Sequence, residues 1–111
     1  MINVRNKGKR GELEVVKIIN KRLGTNVRRT PNSGGLSIKG DIIDIDHNSV
    51  IHDCHFEIKN HKKLVFSKWW EQTEGDCPGG KLPVLIFKYK GRWMVVQELI
   101  DWLDKVDNND S

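Results

Sequence analysis

Val84-Leu85-Ile86-Phe87 are four consecutive apolar residues bounded by Pro83 and Lys88. A strand with one wet face alternates apolar and polar side chains, whereas an unbroken apolar run suits an interior strand covered on both faces. A chain that contains such a strand needs helices on either side of a sheet. The remaining sequence offers them. Over residues 10–23, Leu13, Val16, Ile19 and Leu23 recur at helical spacing, Val15 and Ile18 widen the stripe, and Gly24 stands where a C-terminal cap glycine belongs. Ser67 is placed to cap a short helix carrying Trp69, Trp70 and Gln72. Residues 97–105 read as a last helix with Leu99, Ile100, Trp102 and Leu103 along its buried side. Segments 25–30, 41–46 and 50–59 read as strands, and 83–88 with 92–96 as a hairpin turning through Tyr89-Lys90-Gly91. Pro31-Asn32-Ser33-Gly34-Gly35 and Cys77-Pro78-Gly79-Gly80 are loops. The expected architecture is α/β, a central mixed sheet flanked by helices.

A chain of 111 residues holds one core of this kind. We expect a basic arm over 1–9, flexible and rich in Asn, Lys and Arg, a single domain over 10–106, and a polar tail over 107–111. No apolar run approaches the ~20 residues that span a bilayer, and the polar, basic start is unlike a secretory signal. A cytoplasmic protein without membrane association is the expectation. Two cysteines, Cys54 and Cys77, are too few for a disulfide framework. His47, His52, His55 and His61 lie near Cys54, but their spacings match no paired zinc pattern.

The net charge of +4 is unevenly spread. Residues 1–39 carry ten Lys and Arg against Glu12 and Glu14, a balance of +8, while the rest of the chain nets −4. The first third therefore supplies a surface suited to a polyanion, although many basic faces are merely solvated.

Phe56-Glu57-Ile58-Lys59 carries the most specific chemistry. On a strand Glu57 and Lys59 share one face while Phe56 and Ile58 point to the other. A carboxylate beside an ammonium at a strand end suits metal-assisted hydrolysis, the first binding a hard cation and the second orienting the attacking water. Taken alone, Glu-x-Lys in a strand is more often a solvent-facing ion pair. Gly40-Asp41 opens the preceding strand and can bring a second carboxylate to the same end of the sheet, where the two would repel unless a divalent ion lay between them. Asp41 could equally be a turn residue after Gly40, with Asp44 and Asp46 as similar candidates. Glu12 begins the apolar stripe 12, 16, 19, 23 of the first helix, where a carboxylate needs a partner; a solvated first-turn glutamate is the alternative.

Glu12 on the first helix, Gly40-Asp41 on a strand and Glu57-Ile58-Lys59 on the next resemble the PD-(D/E)xK nuclease superfamily. Lys7 to Glu12 and Arg29-Thr30-Pro31-Asn32-Ser33-Gly34 are similar to the opening and the loop of its archaeal and phage-type Holliday-junction resolvases. The likeness spans roughly 7–100, and it departs at Gly40, where the superfamily has a proline before the aspartate. The resemblance implies a restriction-endonuclease-like fold and a Mg²⁺-dependent DNA endonuclease, with Mn²⁺ able to substitute. It implies Asp41 and Glu57 as metal ligands, Glu12 as an auxiliary ligand, and Lys59 as the residue acting on the nucleophilic water. It also implies Ser33 at the scissile phosphate, an active-site glutamine at Gln72, a homodimer, and branched or duplex DNA as substrate. Arg28, Arg29, Lys39, Lys62 and Lys63 flank these loops and are candidate phosphate contacts. Trp93 and Trp102 are assigned to core or dimer interface. A nicking, flap or sequence-specific endonuclease using the same site, and a non-catalytic DNA-binding module, are the alternatives.

Overall fold

The computed structural model describes residues 4–31, 40–47 and 50–109. The elements run α1 (Val4–Leu23), β1 (Val27–Arg29), β2 (Ile42–Asp44), a 3-10 turn (Val50–Asp53), β3 (Cys54–Lys59), α2 (Phe66–Asp76), β4 (Leu82–Tyr89), β5 (Arg92–Val96) and α3 (Leu99–Asn109). The architecture is α/β, as expected of a restriction-endonuclease-like domain.

β4, which contains the Val84–Phe87 run, is the centre of a three-stranded mixed sheet. It pairs in parallel with β3 and antiparallel with β5. Parallel neighbours need a crossover, and α2 provides it. The antiparallel pair turns tightly: Tyr89 pairs with Arg92 across Lys90 (φ 51°) and Gly91 (φ 77°), both in the left-handed region. Two such residues form a hairpin turn whose twist matches that of the strands.

The sheet is covered unequally. Val15 and Val16 of α1 pack on Phe56, Ile58, Val84 and Ile86, with Ile19 and Trp93 at the margin. On the opposite face Trp69 of α2 reaches the ring of Phe87, centroids 6.2 Å apart. Strand alternation puts His55, Glu57 and Lys59 on this second face. Gly11 allows α1 to lie close, since a Cβ there would stand 2.8 Å from Cβ of Asn60.

β1 and β2 form a separate antiparallel pair in place of a single continuous sheet. Asp41 joins the two sheets. Its carbonyl accepts the N–H of Thr30 at 3.0 Å, and its own N–H donates to the carbonyl of Phe56 at 2.8 Å.

Several boundaries differ from those the sequence suggests. α1 begins at Val4, so residues 4–9 of the expected arm are helical, and α3 extends to Asn109, into the expected polar tail. α1 buries Val15, Val16 and half of Ile19, while Leu13, Ile18 and Leu23 are exposed. Ser67 is not a cap: α2 starts after Val65 with no side-chain cap bond. The long strand expected over 50–59 splits into the 3-10 turn and β3. The largest departure is α3, whose Leu99, Ile100, Trp102 and Leu103 lie on the surface, between 43 and 65% exposed. Helical periodicity identifies an apolar face; it does not say that the same chain covers it. Trp93 is half-buried beside the core, as assigned, whereas Trp102 is exposed.

Candidate active site

Asp41 is the best-anchored acidic group at the sheet edge. Beyond its two backbone bonds, Oδ2 accepts the N–H of Ile58 at 2.6 Å. The carboxylate is thereby turned toward β3, between the positions of Glu57 and Lys59. Glu57 is buried on the face that α2 covers. Burial, and after it the carboxylate of Glu57, pushes the Asp41 carboxyl up to about 7; Glu12 adds to the rise, and the Ile58 amide and Lys59 oppose it. Glu12 on α1, and Glu57 and Lys59 on β3, thus all act electrostatically on Asp41 in the loop that leads into β2.

Each of the other two is held by a single side-chain partner. Oε1 of Glu12 accepts from Nε of Arg29 at 2.7 Å. Nζ of Lys59 donates to Oε1 of Gln72 at 2.8 Å, so Gln72 on α2 lies at this end of the sheet. Nδ2 of Asn60 donates to the carbonyl of Lys7 at 3.0 Å, tying the start of α1 to the end of β3. Lys7 and Lys59 lie near enough to His61 to lower its proton affinity, although burial is the larger cause. The rim beside the carboxylates is therefore positive.

The basic residues flanking this site divide. Arg28 is exposed on β1, and Lys62 and Lys63 are exposed in the loop after β3. Arg29 instead pairs with Glu12. Ser33 and Lys39 lie outside the described residues.

Among the described residues no group of three or more His, Cys, Asp or Glu is disposed to enclose a metal ion. A zinc site of the closed kind is therefore not formed there. Cys54 is buried, with its thiol 3.2 Å from Nζ of Lys105, and His47 instead stacks on His52. Magnesium makes a different demand. It keeps several waters and is commonly held by one or two carboxylates together with substrate phosphates. Asp41 and Glu57 fit that requirement. A carboxyl held protonated up to about pH 7 by burial and by two neighbouring acids is relieved by a divalent cation, which replaces the proton as the neutralising charge.

Two residues shape the site in ways that the sequence did not assign to them. Gly40 has φ 93°, and a Cβ there would lie 3.1 Å from Nδ1 of His55. His55 is fully buried, with Nε2 3.6 Å from Oε1 of Glu57. Its position two residues before Glu57 on one strand was the available signal.

A model of the family described as "Phage putative PDDEXK endonuclease" matches residues 3–110. Protein D14 of Escherichia phage T5 is 33% identical over 126 aligned residues, which cover 96% of this chain and 77% of that protein. No solved structure matches the chain. No helix among the described residues is long and apolar enough to cross a membrane.

Proposed function

This chain belongs to the phage PDDEXK endonuclease family, and from that membership we propose that it is a Mg²⁺-dependent DNA endonuclease acting on branched DNA in the manner of a Holliday-junction resolvase. The reading rests on the meeting of Asp41 and Glu57 at the edge of β3, with Glu12 and Lys59 in electrostatic range. A buried carboxylate whose proton affinity is raised by burial and by a neighbouring acid, as that of Asp41 is, is a poor device for structure alone and a good one for holding a cation.

In the proposed site Asp41 and Glu57 bind the ion and Glu12 completes its surroundings. Held there, a magnesium ion would lower the pKa of its water and compensate charge growing on the phosphate. Lys59, held through Nζ by Gln72, orients the attacking water toward phosphorus. The Ile58 amide fixes the rotation of the Asp41 carboxylate. Arg28, Lys39, Lys62 and Lys63 contact the DNA backbone and Ser33 the scissile phosphate, while Arg29 reaches DNA only by giving up Glu12. Such contacts supply affinity and salt dependence and little sequence preference. Mn²⁺ substitutes for Mg²⁺, since both accept a site of oxygen ligands.

A homodimer is part of the proposal, because one chain holds one site and a junction is resolved by two cuts. Recombination or repair of phage DNA in the host cytoplasm is the setting this activity suits.

Cleavage of labelled four-way junction, flap, nicked, linear duplex and single-stranded DNA, with and without Mg²⁺, tests the reading beside Glu57→Ala. Paired symmetric cuts in the junction, dependent on the metal and lost in the variant, are expected. Metal-dependent cutting that prefers another substrate would keep the site and discard the junction specificity. Binding without cutting would leave a DNA-binding module.

A further inference from the structure

β3 carries three polar side chains on the face covered by α2, and the mechanism above uses only Glu57 and Lys59. His55 is the third. Its side chain is 0% exposed, and among the described residues neither Nδ1 nor Nε2 has a hydrogen-bond partner. A buried polar group left in this condition is unfavourable, and few occur in folded proteins. One partner stands close. Oε1 of Glu57 is 3.6 Å from Nε2, and a shortening of ~0.7 Å would give an ordinary hydrogen bond. The other edge of the ring is closed by the backbone at Gly40, where a Cβ would come within 3.1 Å of Nδ1 and 3.4 Å of Cε1. The imidazole is thus wedged between the residue that precedes Asp41 and the carboxylate of Glu57.

We propose that His55 is a positioning residue: Nε2–H donates to Oε1 of Glu57 and sets the rotation of that carboxylate, while the ring supports the Gly40-Asp41 turn from below. Both carboxylates are then referenced to one rigid group. Groups that hydrogen-bond a metal-binding side chain fix its orientation, and losing one typically weakens metal binding about 10–100-fold. The role assigned to Glu57 rests on the nuclease reading; the contact between the two side chains does not.

Two measurements test this. In the parent chain labelled with ¹⁵N-histidine, NMR should find the His55 proton on Nε2; a neutral ring protonated at Nδ1 alone would overturn the proposal, whatever any variant does. Mn²⁺ binding followed by electron paramagnetic resonance, with single-turnover cleavage alongside, then compares the parent, His55→Leu and His55→Gln. His55→Leu should bind Mn²⁺ about 10–100-fold more weakly and lower kcat while KM for DNA stays unchanged. His55→Gln, which keeps a donor, should recover most of both. Leu and Gln variants equally impaired would make His55 a packing group only, and a Leu variant matching the parent would remove its role altogether. A parent that neither binds Mn²⁺ nor cuts DNA would instead sink the nuclease reading, and that result is distinct from the others.

Discussion

Oδ2 of Asp41 accepts the backbone N–H of Ile58 at 2.6 Å, between the two residues of β3 that face the candidate site. Because the donor is a main-chain amide, the contact is independent of the side chain at position 58. It holds a buried carboxylate against Glu57, whose charge disfavours that of Asp41.

That proximity gives a stability profile. The Asp41 carboxyl lies at about 7 in the folded chain against an ordinary 3.8. A folded-state pKa raised above the unfolded one means that the native state keeps a proton the unfolded state has lost. The contribution is whole below about pH 4 and is lost as pH climbs through about 7. Metal-free protein should therefore lose stability over that window, and saturating Mg²⁺ should flatten the loss. Asp41→Asn keeps an acceptor for Ile58 and removes the repelled charge. At pH 8 without metal it should melt higher than the parent, by about 4–8 °C for each kcal/mol relieved, while cleaving no DNA. Calorimetry at pH 5 and pH 8 decides; a pH-independent difference between the two proteins would show that Asp41 does not titrate in this range.

Gly40 should tolerate no side chain. Its φ of 93° lies where L-residues are strained, and the added Cβ would meet His55. Such backbone strain costs on the order of 1–3 kcal/mol. Gly40→Ala should lower the melting temperature and slow cleavage together, because the turn that shifts carries Asp41. Unchanged melting would mean that the turn relaxes freely.

Lys59 and Gln72 separate chemistry from its support. Lys59→Met removes the group proposed to orient the water, and the rate should fall at least about 100-fold with DNA affinity nearly intact. Gln72→Ala removes only the partner of Nζ, so a smaller loss, about tenfold, is expected and should not add to that of Lys59→Met in the double variant. Full additivity in single-turnover rates would show that Gln72 acts independently of the lysine.

What could be read from the sequence follows the range of the forces involved. The Val84–Phe87 run located the central strand, because burial on both faces leaves a mark within four residues. Lys90-Gly91 marked the hairpin for a similarly local reason. The clustering of Glu12, Asp41, Glu57 and Lys59 came from motif order, since residues so far apart in the chain leave no periodic signal of their meeting. The Arg29–Glu12 pair and the His55–Gly40 contact escaped notice because they depend on how β1 and the turn before β2 settle against α1 and β3. The exposure of α3 escaped for a different reason: its apolar stripe is real, and the covering surface is not among the described residues of one chain.

That exposed stripe makes the proposed dimer testable. Leu99, Ile100 and Trp102 on α3 are more than half exposed, and Val95 on the edge strand β5 is exposed with them. Val95, Leu99 and Trp102 line one hollow with Gln97. Isolated helices as short as α3 are marginal in water, so a helix presenting these side chains gains most by burying them against another surface. In a two-fold dimer the same patch is buried twice, once on each copy. Trp102→Glu would place a charge in that contact and should convert a dimer to a monomer in sedimentation equilibrium. The candidate site lies at the edge of β3, on a different element from Trp102. The monomer should therefore nick a junction singly and lose the paired cuts, with metal dependence retained. A parent chain that sediments as a monomer would remove the dimer from the proposal, and paired cutting by the monomeric variant would show that the two cuts need no such interface.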